Sequence, residues 1–179
     1  IQPNTGSIHV IDGDPLDKAG AAVAPASGEI VTKHVQFGPF CQTTLTLNNV
    51  PQAVVNGTEY QGTKIYDFPQ GRLLVMGVTA TLQQKTTSAI ASTLNSGTGA
   101  ISLGTATASS TTLDSTMADL LPSTAFTSST VINVAGAAVS GALAASAQFD
   151  GTTTAKDVYL NTAYATTGDV DGDATQTIS

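Results

Sequence analysis

Three aspartates alternate near the end of the sequence, at Asp169, Asp171 and Asp173. Alternating carboxylates of this kind begin the calcium-binding loop of an EF-hand, where their oxygens converge on one ion. That loop needs a glycine at its sixth position, and Ala174 occupies the position here. We therefore predict a solvated acidic turn with no metal site, and we interpret the shorter acidic run at 12–14 as a turn as well.

The other residue types that support catalysis are few and isolated. His9 and His34 have no cysteine or glutamate at ligand spacing, and a zinc site needs three or four ligands. Cys41 is the single cysteine, which excludes a disulfide within the chain. No serine lies in a Gly-x-Ser-x-Gly sequence, and no glycine-rich phosphate-binding loop occurs. We therefore predict that the protein is not an enzyme, with no catalytic residue, no metal and no cofactor.

The charge balance narrows the range of partners. The 179 residues carry a net charge of −7, and only 11 % of them are charged, against roughly 25 % in an average soluble domain. Binding to phosphate backbones or anionic lipid requires Lys and Arg, so neither nucleic acid nor a membrane surface is an expected partner. Polarity comes instead from Thr, Ser, Asn and Gln, and Thr favours strands because its branched Cβ fits a pleated sheet.

Alternation of apolar and polar residues predicts strands through most of the chain after Phe40. In the clearest example, five apolar residues occupy every second position of one predicted strand. We predict that they form its core face: Leu74, Met76, Val78, Ala80 and Leu82.

Two local signals interrupt this pattern. Asn56-Gly57 predicts a tight hairpin turn, because a type I′ turn needs positive φ at both central residues. Thr111 and Asp114 resemble a capping box, and Pro122 ends the run that follows, so we predict one short helix between them. Its apolar residues at helical spacing are Leu113, Met117, Leu120 and Leu121.

Residues 1–40 differ from the rest because they hold four of the seven prolines and show little periodicity. We predict an extended N-terminal arm over 1–40, with an irregular lead-in packed on its own domain as an equal alternative. Residues 41–179 are predicted to form one domain. The fold class is mainly β, an antiparallel β-sandwich or a jelly-roll-like fold with one short helix.

One segment resembles a known group of proteins. The sequence Tyr-Asp-Phe-Pro-Gln-Gly-Arg at 66–72 is similar to a Tyr-Asp-Phe-Pro-x-Gly-Arg segment of virion-associated proteins of tailed bacteriophages. The resemblance extends along 64–78 and covers roughly residues 60–179. Further similar stretches are 87–95, 104–108, 119–123, 147–152 and 169–173.

The resemblance implies a structural virion protein that decorates or cements a capsid on its outer surface. The implied partners are major capsid protein subunits, and copies of the chain itself remain open as further partners. We expect the arm to bind these subunits, because an extended segment becomes ordered where it gains contacts. The apolar residues expected to make those contacts are Ile8, Val10, Ile11, Val35, Phe37 and Phe40.

A β-sandwich recognition module, such as an adhesin or glycan-binding domain, is the alternative function. Modules of that class stack sugars on exposed aromatic rings, which offer large and rigid contact areas. This chain has no Trp, 4 Tyr and 5 Phe. The composition therefore favours the capsid function over glycan binding.

Overall fold

The computed structural model describes residues 27–55, 57–85, 98–127, 131–136, 148–153, 156–164 and 174–179. These residues are mainly β, with antiparallel pairing in their sheets and one short helical turn, which confirms the predicted mainly β class. The chain forms two compact units. The first extends to Val50 and includes Ser179, and the second is Pro51–Ile178.

The first unit is built on a β-hairpin. Its strands are β1 (Ile30–Phe37) and β2 (Phe40–Leu47), which pair antiparallel along their whole length. Gly38 lies between them with a φ of 60°, a left-handed conformation that glycine adopts at little cost. β1 contains two Val and one Thr, and β2 contains three Thr, residue types that suit a pleated backbone.

The predicted boundary between an arm and a domain at Phe40 falls at the turn of this hairpin. The described part of the predicted arm, residues 27–40, contains a strand that pairs with the sequence directly after it. The compact units divide after Val50 instead. Residues 1–26 lie outside the described residues.

The remaining strands lie in the second unit, except that Val50, the first residue of β3, belongs to the first unit. In the described residues these are β3 (Val50–Val54), β4 (Tyr60–Asp67), β5 (Arg72–Leu74), β6 (Val78–Lys85), β7 (Thr98–Gly104), β8 (Leu121–Thr127), β9 (Val131–Gly136), β10 (Gln148–Asp150), β11 (Asp157–Ala163) and β12 (Ala174–Ile178). One four-stranded sheet has the order β4-β11-β7-β8, and another has the order β3-β12-β6-β9. β5 and β10 form a separate two-stranded sheet, called the ribbon below.

The predicted single strand from Leu74 to Leu82 is two strands, because β5 ends at Leu74 and β6 begins at Val78. Leu74 and Met76 are 46 % and 54 % exposed, so their prediction as core residues is wrong. Val78 and Ala80 are half-buried, and Leu82 is buried. Within this segment, the alternating apolar residues are covered only in β6, because β6 is an inner strand of a four-stranded sheet. β5 belongs to the two-stranded ribbon, and its apolar residue Leu74 stays exposed.

The predicted short helix is a single 3₁₀ turn, Ser115–Met117. Asp114, and not Thr111, occupies its N-cap position, and the Asp114 side chain makes no capping hydrogen bond. Pro122 does not end a helix, because it lies near the start of β8, which begins at Leu121. The apolar residues predicted at helical spacing are all buried nonetheless: Leu113, Met117, Leu120 and Leu121.

The Asn-Gly signal marks a turn without marking a hairpin. Gly57 and Glu59 have φ values of 85° and 62°, and the amides of Thr58 and Glu59 both donate to the Val55 carbonyl oxygen. The flanking strands β3 and β4 belong to different sheets. The turn therefore carries the chain from one sheet to the other, and Asn56 itself lies outside the described residues.

Candidate functional site

Half of the predicted partner-binding residues can be placed in the structure. The other half lie outside the described residues: Ile8, Val10 and Ile11. The residues that can be placed all belong to the hairpin of the first unit: Val35, Phe37 and Phe40.

The hairpin brings these three residues to its closed end. Phe37 lies opposite Phe40 in the strand register, and Val35 lies opposite Gln42. Side chains at opposite and at alternate positions point to the same face, so Val35 and Phe40 share one face of the hairpin. Phe40 is 57 % exposed, and Val35 is half-buried. An aromatic side chain is therefore presented to solvent at the hairpin tip.

Polar contacts hold the hairpin around this tip. His34 Nδ1 and Thr43 Oγ1 are 3.0 Å apart across the two strands. Gln36 Nε2 donates to the Gly38 carbonyl oxygen at 3.1 Å, and this hydrogen bond stabilises the turn. A His–Thr contact on an exposed hairpin is a cross-strand pair, and such pairs stabilise the sheet that carries them. These contacts stabilise the hairpin around its tip.

The segment that resembles phage proteins, 66–72, leads from β4 into the ribbon. Gly71 and Gly151 exchange backbone hydrogen bonds of 3.1 and 2.7 Å, and Gln70 Nε2 donates to the Thr152 carbonyl oxygen at 2.8 Å. Gly71 has a φ of 139°, which only glycine adopts readily. The Gln-Gly pair of the segment therefore serves to close the ribbon.

The charged side chains beside this segment neutralise one another. Lys64 Nζ lies 2.9 Å from Asp67 Oδ1 and 3.9 Å from Asp157 Oδ1, and Tyr159 Oη donates to Asp157 Oδ2 at 3.1 Å. The Asp67 contact raises the pKa of Lys64 and lowers the pKa of the Asp67 carboxyl group. The hydrogen bond to Asp157 raises the pKa of Tyr159. Lys64 is thus balanced by carboxylates of its own chain.

Sequence reasoning missed a layer of buried polar side chains in the second unit, which we call the polar layer. Its five members are each at most 1 % exposed. Three glutamines come from the sheet of β3, β12 and β6, and two residues come from β11 and the position after it. The members are Gln52, Gln84, Gln176, Thr162 and Tyr164.

Hydrogen bonds join the polar layer into one network. Tyr164 Oη donates to Gln176 Oε1 at 2.7 Å, and Gln176 Nε2 donates to Thr162 Oγ1 at 3.2 Å. Thr162 Oγ1 donates to Gln52 Oε1 at 3.3 Å. Gln84 Nε2 contacts both Tyr164 Oη and Gln176 Oε1. Each of the three glutamines therefore has at least one partner in the layer, which offsets part of the cost of removing it from water. Gln84 Oε1, in contrast, accepts no hydrogen bond from the described residues.

The polar layer does not contain an acid or base that titrates near neutral pH. Burial raises the pKa of Tyr164 to about 12, and hydrogen bonds with Gln84 and Gln176 oppose that rise. Amides and a threonine hydroxyl make up the rest. The sequence does contain a signal for these glutamines, which is that each lies two positions from an apolar residue on the same face of its strand. Gln52 and Gln84 each follow a buried apolar residue by two positions, and Gln176 precedes Ile178 by two.

A second polar centre holds the loop between β7 and β8. Asn161 Oδ1 accepts from the Ala108 amide at 2.8 Å, and Asn161 Nδ2 donates to the carbonyl oxygens of Ala106 and Met117 at 2.9 Å each. A Cβ atom at Gly104 would collide with the Met117 backbone, so glycine permits this close approach. These contacts position backbone atoms and leave the Asn161 amide fully engaged, which indicates a structural role.

No three side chains of His, Cys, Asp or Glu within the described ranges come together as ligands for a metal ion. The acidic segment 169–173 lies outside those ranges, so its lack of a metal remains a prediction. Helices of the described part are too short or too polar to cross a membrane.

Comparisons with known proteins do not assign the chain to a group. No protein-family model, no curated protein and no solved structure matches it. The similarity of residues 66–72 to phage virion proteins therefore remains a prediction.

Proposed function

We propose that this protein is a non-enzymatic structural component of a bacteriophage virion, which decorates or cements the outer surface of the capsid. Its partners are major capsid protein subunits. The observation that carries the proposal is the hairpin of the first unit, which presents Phe40 to solvent at its tip. The resemblance of residues 66–72 to virion-associated proteins gives the class of partner.

In this proposal the second unit is a β-sandwich whose two four-stranded sheets pack face to face. Hydrogen bonds of the polar layer support that arrangement, because they join side chains of one sheet to the other. Gln52 on β3 bonds to Thr162 on β11, and Gln176 on β12 bonds to Tyr164, which directly follows β11. A sandwich of this kind suits a virion surface, because buried hydrogen bonds between its two sheets stabilise it.

The hairpin is the part that would gain most from a partner. A two-stranded hairpin is marginally stable in water, and stable sheets usually need a third strand or a packed face. Each strand has eight residues, or about 26 Å of length. Six of the eight residues of β2 are exposed. A capsid subunit packed on the face of Val35 and Phe40 would bury the exposed residues of β2 on that face, which are Phe40, Gln42, Thr44 and Thr46.

The charge of the hairpin predicts how binding responds to salt. Residues 27–50 contain one acidic residue, Glu29, and one lysine, Lys33. Contacts made by such a surface depend on apolar area and neutral hydrogen bonds, which salt screens little. Raising the salt from about 0.1 M to about 0.5 M should change the dissociation constant by less than about threefold.

The experiment adds the purified chain to capsids that lack it and measures binding by co-sedimentation. We expect the substitution Phe40→Asp to weaken binding about tenfold or more, because it places a charge at the centre of the apolar contact. The matched control is Val55→Asp, which changes another exposed apolar residue, in the second unit. It should leave binding unchanged.

Two outcomes would contradict the proposal at different points. If Phe40→Asp binds as tightly as the unchanged chain, the hairpin tip is not the binding surface. If the full chain does not bind capsids at all, the capsid function is wrong. Binding to a glycan array by that same preparation would then favour the recognition module.

A further inference from the structure

A mixed apolar and charged patch lies on the ribbon of the second unit and on the segment that follows β5. Leu74 and Met76 are 46 % and 54 % exposed, which is unusual for side chains of their size. Arg72 lies two positions before Leu74 in β5, and Asp150 lies directly opposite Arg72 in β10. Arg72, Leu74 and Asp150 therefore share one face.

The two charges of this patch form only a loose pair. Arg72 Nε is 3.7 Å from Asp150 Oδ2, which is too long for a good hydrogen bond. The two side chains are 84 % and 59 % exposed. Thr152 donates its amide and its hydroxyl to Asp150 Oδ1, at 3.1 and 2.6 Å. The carboxylate is thus held in place while its other oxygen remains close to the guanidinium group.

We propose that this patch is a two-fold contact between copies of the chain, in which Arg72 of one copy faces Asp150 of the other. A two-fold contact uses the same surface on both copies, so the surface must be complementary to itself. This patch meets that requirement, because both signs of charge share a face with Leu74, and exposed Met76 follows Leu74 by two positions. Each contact then contains two identical ion pairs around an apolar centre.

The charge of the whole chain favours a contact between copies that includes both signs of charge. A net charge of −7 makes copies repel one another, and a site where a cation meets an anion reduces that repulsion locally. The patch is small and should give weak association on its own, with a dissociation constant in the upper micromolar to millimolar range. Weak contacts of this kind become effective when many copies are held side by side. The proposal does not depend on the capsid function, because it concerns the free chain.

Charge exchange tests the contact directly. In Arg72→Glu, two acidic residues would face each other, and in Asp150→Arg, two arginines would do so. We expect each single variant to associate about tenfold more weakly than the unchanged chain. An equimolar mixture of the two variants should recover the association, because Glu at 72 then meets Arg at 150 and Arg72 meets Asp150. The double variant Arg72→Glu with Asp150→Arg should associate like the unchanged chain.

Sedimentation equilibrium up to about 1 mM protein gives the readout. The variant Met76→Ser should also weaken association, and Val55→Ser, an exposed apolar residue outside the patch, should not. Circular dichroism checks the fold of each variant. We expect the fold to be retained in the charge variants, because the side chains of Arg72 and Asp150 are both exposed. The proposal is wrong if the unchanged chain stays monomeric over this range, if the single variants associate normally, or if their mixture does not recover.

Discussion

The interior of the second unit contains amides, whereas the ribbon on the same unit exposes apolar side chains. Gln52 and Gln176 are fully buried, and Leu74 and Met76 are about half exposed. Alternation from Leu74 to Leu82 predicts a single covered apolar face, but this segment contains two strands, β5 and β6, and only Leu82 of the five residues is fully buried. The comparison teaches that alternation does not show whether a face is covered, or whether a covered face is apolar.

The physical cost of the two arrangements differs. A buried amide without a partner is unfavourable, but hydrogen bonds in the polar layer and around Asn161 offset this cost. Such bonds are directional, so they define the register between strands more narrowly than apolar contacts do. An exposed leucine or methionine costs little stability in the monomer and becomes useful when a partner covers it.

The strongest test of this comparison is the substitution Asn161→Leu. It leaves the Ala108 amide and the Ala106 carbonyl oxygen without their partner. It also removes one of the two donors to the Met117 carbonyl oxygen, which keeps Ser102 Oγ. An unsatisfied buried group costs about 1–3 kcal/mol, so we expect the free energy of unfolding to fall by about 3–5 kcal/mol in urea denaturation. The control Ser110→Ala removes an exposed hydrogen bond of the same loop and should cost less than about 0.5 kcal/mol. Equal effects of the two substitutions would contradict the role assigned to Asn161.

The substitutions Leu82→Ala and Leu74→Ala separate the two halves of the alternating segment. Leu82 is buried, and removing its side chain should cost about 3 kcal/mol through lost burial and a cavity. Leu74 is 46 % exposed, and its substitution should cost less than about 0.5 kcal/mol. Thermal and urea denaturation of both variants give the measurement. A comparable loss in both would restore the single core strand that the sequence predicts.

A smaller effect concerns the pH dependence of stability through Tyr164. Burial raises its pKa to about 12 in the folded protein, above the value of about 10 for an exposed tyrosine. The unfolded chain therefore loses this proton first as pH rises. The stabilisation is fully present below pH 10 and should fall by about 2–3 kcal/mol as pH approaches 12. Urea denaturation from pH 9 to about 11.5 should show a steeper decline for the unchanged chain than for Tyr164→Phe, and parallel declines would contradict the assignment.

The candidate binding residues show which features local sequence patterns predict and which they do not. Val35, Phe37 and Phe40 were predicted as apolar contact residues, and the hairpin places them at one end. The hairpin itself was not predicted, because Pro39 suggested an irregular arm, although Gly38 beside it supplies the turn. The partner that these residues bind stays a prediction, because it depends on a surface outside this chain.

The predicted short helix also shows that local sequence patterns do not by themselves determine the secondary structure. Leu113, Met117 and Leu120 were predicted at helical spacing in a short helix; they are buried, but among the described residues around them only Ser115–Met117 is helical. Hydrogen bonds from Asn161 to the loop override the local preference. Tertiary contacts of this kind commonly override weak intrinsic propensities.

The sequence by itself determined the mainly β character and the positions of several turns, because strand preference and turn chemistry depend on residues close together in the chain. Only the tertiary structure decided which faces are covered and which polar residues meet inside. Gln52 and Thr162 are 110 positions apart, yet their side chains form one buried hydrogen bond. Such a pairing depends on how the strands assemble into sheets, and no local pattern in the sequence specifies it.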